Sequence, residues 1–220
     1  MALPDLTVLA QWLGIVGPAL YAGITFQYSQ TLSLLSTTSP APLLALQWLR
    51  LYQQGPRWVP PLLGAGTLAN IYLALGAAAA AASTHHPNPN PNPTPRAAAV
   101  ILYPLAAALT ACIVPLTFLY FEPGINGACK WKAQGLLSST CPGGAEAAGT
   151  GTGTGLAEGS ARSSRVNWSV EQHSAGKGAK AWAAREEMAA LVRGWAGRNY
   201  GRVAVAVVAA GVSGLATLGD

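Results

Sequence analysis

Apolar residues in this chain gather in four long blocks instead of alternating with polar ones. The blocks run from about Val8 to Phe26, Val59 to Ala82, Ala97 to Phe121 and Tyr200 to Leu218. A helix needs about 20 apolar residues to cross the hydrocarbon core of a bilayer. The second and third blocks contain no charge, and the fourth only Arg202 near its start. The first has neither a basic stretch before it nor a small-residue cleavage site after it, so it reads as a span and not as a signal peptide. The pattern predicts an all-α protein, an integral membrane four-helix bundle with a lipid bilayer as its partner.

The connections differ in kind. Thr84-His85-His86-Pro87 leads into Asn-Pro repeats up to Arg96. Proline blocks helix and biases the residue before it to extended geometry, which makes this a stiff linker. Residues 142–180 are rich in Gly, Ala, Ser and Thr, with a Gly-Thr run from Gly149 to Gly155. Such a stretch buries too little apolar surface to offset its ordering entropy, so it reads as a disordered insertion. It lacks the strand–loop–helix setting of a phosphate loop. Beyond it, Ala184, Met188, Leu191, Val192 and Trp195 share one helical face. Residues 181–197 therefore predict an amphipathic interfacial helix, with Trp195 at headgroup depth.

Composition narrows the class. Only 10% of the 220 residues are charged, against about 25% in soluble domains. The formal charge of +5 comes from 13 basic residues scattered between apolar blocks, which form no nucleic-acid face. Ten of those 13 follow Phe121, among them Lys130, Lys132, Arg193, Arg198 and Arg202, while Arg50 and Arg57 separate the first two spans. The positive-inside rule then makes the first and third connections cytoplasmic and both termini lumenal. In that topology the sequon Asn167-Trp168-Ser169 stays unglycosylated. Cys112, Cys129 and Cys141 form no C-x-x-C pair; a Cys129–Cys141 bridge would require an oxidising lumen on that side.

Polar residues inside spans are costly and mark function or helix–helix hydrogen bonding. Gln27, Asn70, Thr110 and Thr117 are of this kind. Pro104 and Pro115 each free a backbone carbonyl in the third block, which a nearby threonine hydroxyl would satisfy. Arg202 shares a helix face with Trp195 and Asn199; it either snorkels to the interface or points a cation into the bundle. Glu122 is the only acidic residue tight against a span, an interfacial charge or a general base. The histidines lack metal-ligand spacing, so no metal site is expected.

Three stretches together resemble a known family. They are Pro42 to Tyr52 with Gln47, Trp48, Tyr52 and Gly55; Thr110 to Asn126, TACIVPLTFLYFEPGIN; and Trp195 to Arg202, WAGRNYGR. They are similar to the fungal anthrone oxygenases, small four-span membrane proteins. The likeness covers all four spans but neither the Asn-Pro linker nor the Gly-Thr run. Pro123-Gly124-Ile125-Asn126 departs from the Pro-Thr-Asn that many members carry.

The resemblance implies monooxygenase-type oxidation of an anthrone to an anthraquinone by dioxygen, in polyketide secondary metabolism. It implies no metal, flavin or haem cofactor, and an endoplasmic reticulum or related endomembrane location. Its substrate would be an apolar polycyclic aromatic. The chemistry then needs a base for the acidic methylene and a donor for the resulting oxyanion. Arg202 and Asn199 are the candidates for the anion, and Tyr52 or Glu122 for the base. Trp195, Trp48 and Tyr52 would stack on the polycycle, with Gln47, Asn126 and Thr117 completing the substrate site. The alternative is a noncatalytic four-span scaffold or partner of other membrane enzymes. A small transporter is disfavoured by the lack of an internal repeat.

Overall fold

A computed structural model describes residues 5–83, 95–140 and 175–219. These residues are helical throughout their regular structure, and no strand occurs among them. Helix α1 is Leu6–Thr38 and α2 is Ala41–Ser83. Helix α3, Pro95–Leu116, passes into a π-helical segment, Thr117–Asn126, and then into α4, Gly127–Thr140. Helix α5 is Lys177–Arg185 and α6 is Met188–Leu218. Four stretches are long and apolar enough to cross a membrane: Leu6–Thr38, Ala41–Ser83, Ala98–Leu137 and Met188–Leu218. Each contains one of the expected apolar blocks. Each helix also runs well beyond its block, because polar and small residues at the ends are held by packing and not by propensity.

The chain divides into two compact units. The first comprises the residues up to Thr25, Arg57–Val114 and those from Gly201 onward. Here α1 and α2 cross with almost no side chain between them. A Cβ on Gly17 would lie 2.7 Å from the Leu62 carbonyl oxygen and 3.2 Å from the Gly66 Cα. Beside this crossing, buried Asn70 donates to the carbonyls of Gly14 (3.3 Å) and Gly66 (3.0 Å) and accepts from the Ser213 hydroxyl (2.8 Å). One amide thus ties α1, α2 and α6, as expected of a polar group in an apolar bundle. Gln27, which belongs to the second unit, donates to the Thr31 hydroxyl on its own helix. Thr110 bonds the Ala106 carbonyl, not the carbonyls of Val100 and Ala111 that the two prolines free.

The second unit comprises Phe26–Pro56 and Pro115–Tyr200. Its core joins Leu32, Leu44, Trp48 and Leu49 to Phe121, Ile125, Ala128, Cys129 and Ala133, and to Ala183, Met188, Leu191, Val192 and Trp195.

Three expectations change here. The third block does not end at Phe121 but continues through the π segment into α4. The 181–197 helix is two helices, broken at Glu186 and Glu187, where the Glu186 backbone is extended. Its apolar face is turned into protein: Met188, Leu191 and Val192 are fully buried and Trp195 nearly so, which removes Trp195 from a lipid headgroup. The Asn-Pro linker and Cys141 fall outside the described residues, as does most of the 142–180 insertion, whose last residues begin α5.

Candidate functional site

The second unit encloses a charged pair in its apolar core. Glu122 sits on the π segment, 3% exposed, and Lys130 on α4 is fully buried. Their side chains meet at 2.7 Å, Lys130 Nζ to Glu122 Oε2. Removing two charges from water costs several kcal/mol per ion, repaid only with good geometry and further hydrogen bonds. The carboxylate receives them. Asn126 Nδ2 donates to Oε1 at 2.8 Å. The Tyr52 hydroxyl, arriving from α2, donates to the same oxygen. Lys130, Asn126 and Tyr52 thus each donate to the carboxylate, and the ammonium opposes its charge.

The surrounding residues fix each member. Trp195 Nε1 donates to Asn126 Oδ1 at 3.0 Å, so the amide can present only its NH2 group to Glu122. Trp48 and Tyr52 lie one turn apart on α2 and stack at 5.1 Å with their planes 17° apart. Trp195 meets Trp48 edge-on, at 6.2 Å and 86°. Lys130 Nζ lies 4.6 Å from the centre of the Tyr52 ring, within cation–π range. Tyr52 is half-buried; the other cluster members are nearly or fully enclosed.

The backbone around Glu122 is crowded from one side. A Cβ on Gly127 would stand 2.7 Å from the Ala175 Cα and 2.8 Å from the Glu122 carbonyl oxygen. Gly176 N–H donates to the Pro123 carbonyl at 3.1 Å. The strand of chain entering α5 therefore lies directly on the segment that carries the carboxylate, and only glycine at 127 admits it.

Of the sequence-derived candidates, the structure joins five by direct contact: Tyr52, Glu122, Asn126, Trp48 and Trp195. Gln47 and Asn199 belong to the same unit. Among the described residues Gln47 Oε1, Trp48 Nε1 and Asn199 Oδ1 are buried without a hydrogen-bond partner. Unpaired buried polar atoms are few in folded proteins, and each costs about 1–3 kcal/mol. Thr117 is half-buried at the first residue of the π segment. Arg202 is buried and belongs to the first unit.

Sequence reasoning missed Lys130, counted as a juxtamembrane loop charge. Its eight-residue separation from Glu122 is not a helical pairing distance and carried no signal. Among the described residues no group of three His, Cys, Asp or Glu is placed to hold a metal ion. The chain matches no family model, no curated protein and no solved structure.

Proposed function

We propose that this chain is an integral membrane oxygenase that converts an anthrone to an anthraquinone with dioxygen, working on an apolar polycycle delivered from the bilayer. The observation that carries the reading is a buried carboxylate whose half-exposed partner is a phenol, Tyr52, backed by a lysine and set among tryptophans. The sequence likeness to fungal anthrone oxygenases supports the substrate class, and the four apolar helices support the membrane.

In this mechanism Tyr52 meets the substrate. Its oxygen takes a proton from the methylene between the two aryl rings while its own proton passes to Glu122. The result is a neutral carboxylic acid and a substrate enolate, with the Lys130 charge offsetting the anion. The enolate carbon gives its electrons to dioxygen, and a C–O bond forms. Glu122, through Tyr52, returns the proton to the peroxide. Loss of water from the hydroperoxide leaves the ketone, so anthrone plus O2 becomes anthraquinone plus H2O. Trp48 Nε1, Gln47 Oε1 and Asn199 Oδ1 are buried, so they would meet the substrate's oxygens only where its entry opens the core around them. A preorganised donor at such an oxyanion is worth about 3 kcal/mol of barrier.

The test is dioxygen uptake and anthraquinone formation in microsomes expressing the chain, with emodin anthrone added and empty-vector membranes subtracted. Tyr52→Phe should lower the excess rate by about 100- to 10,000-fold, the usual share of a proton-transfer group. No excess uptake by the unaltered chain overturns the reading.

One observation favours a second reading. The Glu122 carboxylate is well enough satisfied to act as a structural pin, in a noncatalytic scaffold for other membrane enzymes. Higher product yield from partner enzymes, with no uptake by this chain alone, would establish it.

A further inference from the structure

A second feature of the same unit lies on the outward side of the π segment. A cleft of about 270 Å³ opens between α5 and that segment, lined by Tyr120, Pro123, Gly124, Ile125, Gly178, Ala179, Trp182 and Arg198. Small-molecule sites run to roughly 300–1,000 Å³, so this one suits a small, rigid occupant.

The walls mix apolar and polar surface. Tyr120 and Trp182 supply two aromatic faces. Gly124 and Gly178 supply bare backbone, and a Cβ built on either would meet nothing within 4 Å. Among the described residues no acidic one lines the cleft. Helix α5, KGAKAWAAR, carries Lys177, Lys180 and Arg185 and no acidic residue.

Among the described lining residues the charged one is Arg198, an exposed side chain with two contacts. The Arg198 guanidinium lies 5.3 Å from the centre of the Trp182 ring. Its Nη1 donates to the Gly194 carbonyl, one turn back, at 3.5 Å. That uses one of five N–H donors. Among the described residues no carboxylate is paired with it. An oriented guanidinium beside two aromatic walls has the recognition chemistry for an oxyanion on a flat ring system.

We propose that this cleft binds a planar aromatic anion, its rings against Trp182 and Tyr120 and its carboxylate or phenolate on Arg198. The site is separate from the Glu122 cluster and needs no turnover there, so it stands or falls independently of the oxygenase reading.

The probe is anthracene-9-carboxylate, which is fluorescent, flat and anionic. The full-length chain is placed in nanodiscs of zwitterionic lipid, and binding is read by fluorescence anisotropy. Arg198→Gln should weaken binding roughly tenfold to hundredfold, the worth of one charge-assisted hydrogen bond. Arg198→Lys should recover only part, because an ammonium lacks the planar fork. Gly178→Leu, on an exposed position, should also weaken binding by filling the cleft. Neutral anthracene should bind far more weakly than the carboxylate. Equal binding of the two probes, or unchanged binding in both Arg198→Gln and Gly178→Leu, overturns the proposal. Displacement of the probe when phosphatidylglycerol is mixed into the nanodisc assigns Arg198 to a lipid headgroup, which overturns it as well.

Discussion

Breaking the Glu122–Lys130 pair one partner at a time, and then both together, separates its structural role from its chemical one. Lys130→Met leaves a carboxylate that is 3% exposed without the ammonium that stood 2.7 Å from it. Removing one partner of a buried ion pair costs about 3–5 kcal/mol. At roughly 2–4 °C per kcal/mol for a chain of this size, the midpoint in detergent should fall by about 6–20 °C. Glu122→Gln strands the fully buried ammonium and should cost a similar amount. The double variant differs in kind. The Gln oxygen still accepts from Tyr52 and Asn126, and Met fills the space of the lysine stem. Replacing a buried pair by uncharged groups of similar volume is often neutral or better, so the double should return to within about 2 kcal/mol of the unaltered chain. The coupling between the two sites would then be several kcal/mol. Turnover should stay lost in all three, since none has both a base and its counter-charge. Midpoints are followed by intrinsic tryptophan fluorescence, and oxygen uptake is measured on the same preparations. An unchanged midpoint for Lys130→Met would refute the buried pair. A stable double variant with full turnover would refute the proton-transfer role and leave the pair as a pin.

Three further outcomes follow from other contacts. Gly17→Ala pushes a methyl to within 2.7 Å of the Leu62 carbonyl oxygen, backbone that cannot move aside cheaply; thermal unfolding should show a loss of about 1–3 kcal/mol from overpacking. Trp195→Phe removes the donor at 3.0 Å from Asn126 Oδ1 and leaves that oxygen buried and unpaired, which should cost about 1–3 kcal/mol and lower turnover by freeing the amide to flip; a midpoint and rate equal to the unaltered chain would contradict this. Asn167 should remain unglycosylated in microsomes, and an endoglycosidase-sensitive shift would reverse the proposed topology, in which the long loop is cytoplasmic.

The four helices were legible because their signal is local. A run of apolar residues as long as a bilayer is thick needs no knowledge of what packs against it. Their ends were not legible for the opposite reason. Helix α1 continues to Thr38 through Ser29, Gln30 and Ser36, and α2 begins at Ala41, well before its apolar block. Those residues are helical because Leu32, Leu44 and Trp48 are buried in the second unit, a tertiary cause invisible in a hydropathy window. The same holds for Met188 to Trp195. Its periodicity was read correctly, but periodicity does not say whether the apolar face meets lipid or protein.

The site was half legible, and the missing half has a geometric cause. Glu122 and Lys130 are eight residues apart. In a regular α-helix that separation rotates one about 80° away from the other, so the spacing gives no reason to pair them. The turns between them are not regular. The segment Thr117–Asn126 is π-helical, and its backbone leaves helical geometry at Gly124. The wider i→i+5 turns rotate the chain less per residue and offset part of that drift. Asn126, midway, then lies over Glu122, and Lys130 folds back to the same carboxylate. π-bulges are frequent at functional sites because the local widening redirects side chains without ending the helix. Here the result is a cation delivered to Oε2 of a buried anion from the same stretch of chain, while Tyr52 from another helix shares Oε1 with Asn126. Arg202, at a helical spacing from Trp195 and Asn199, is visible to a periodic reading, whereas Lys130 follows an irregular turn that such a reading does not see. The comparison that decides between them is direct. Arg202→Ala should keep turnover within a few-fold of the unaltered chain, while Glu122→Gln/Lys130→Met, equally well folded, should have none. The reverse order of activities would return the anion-stabilising role to Arg202.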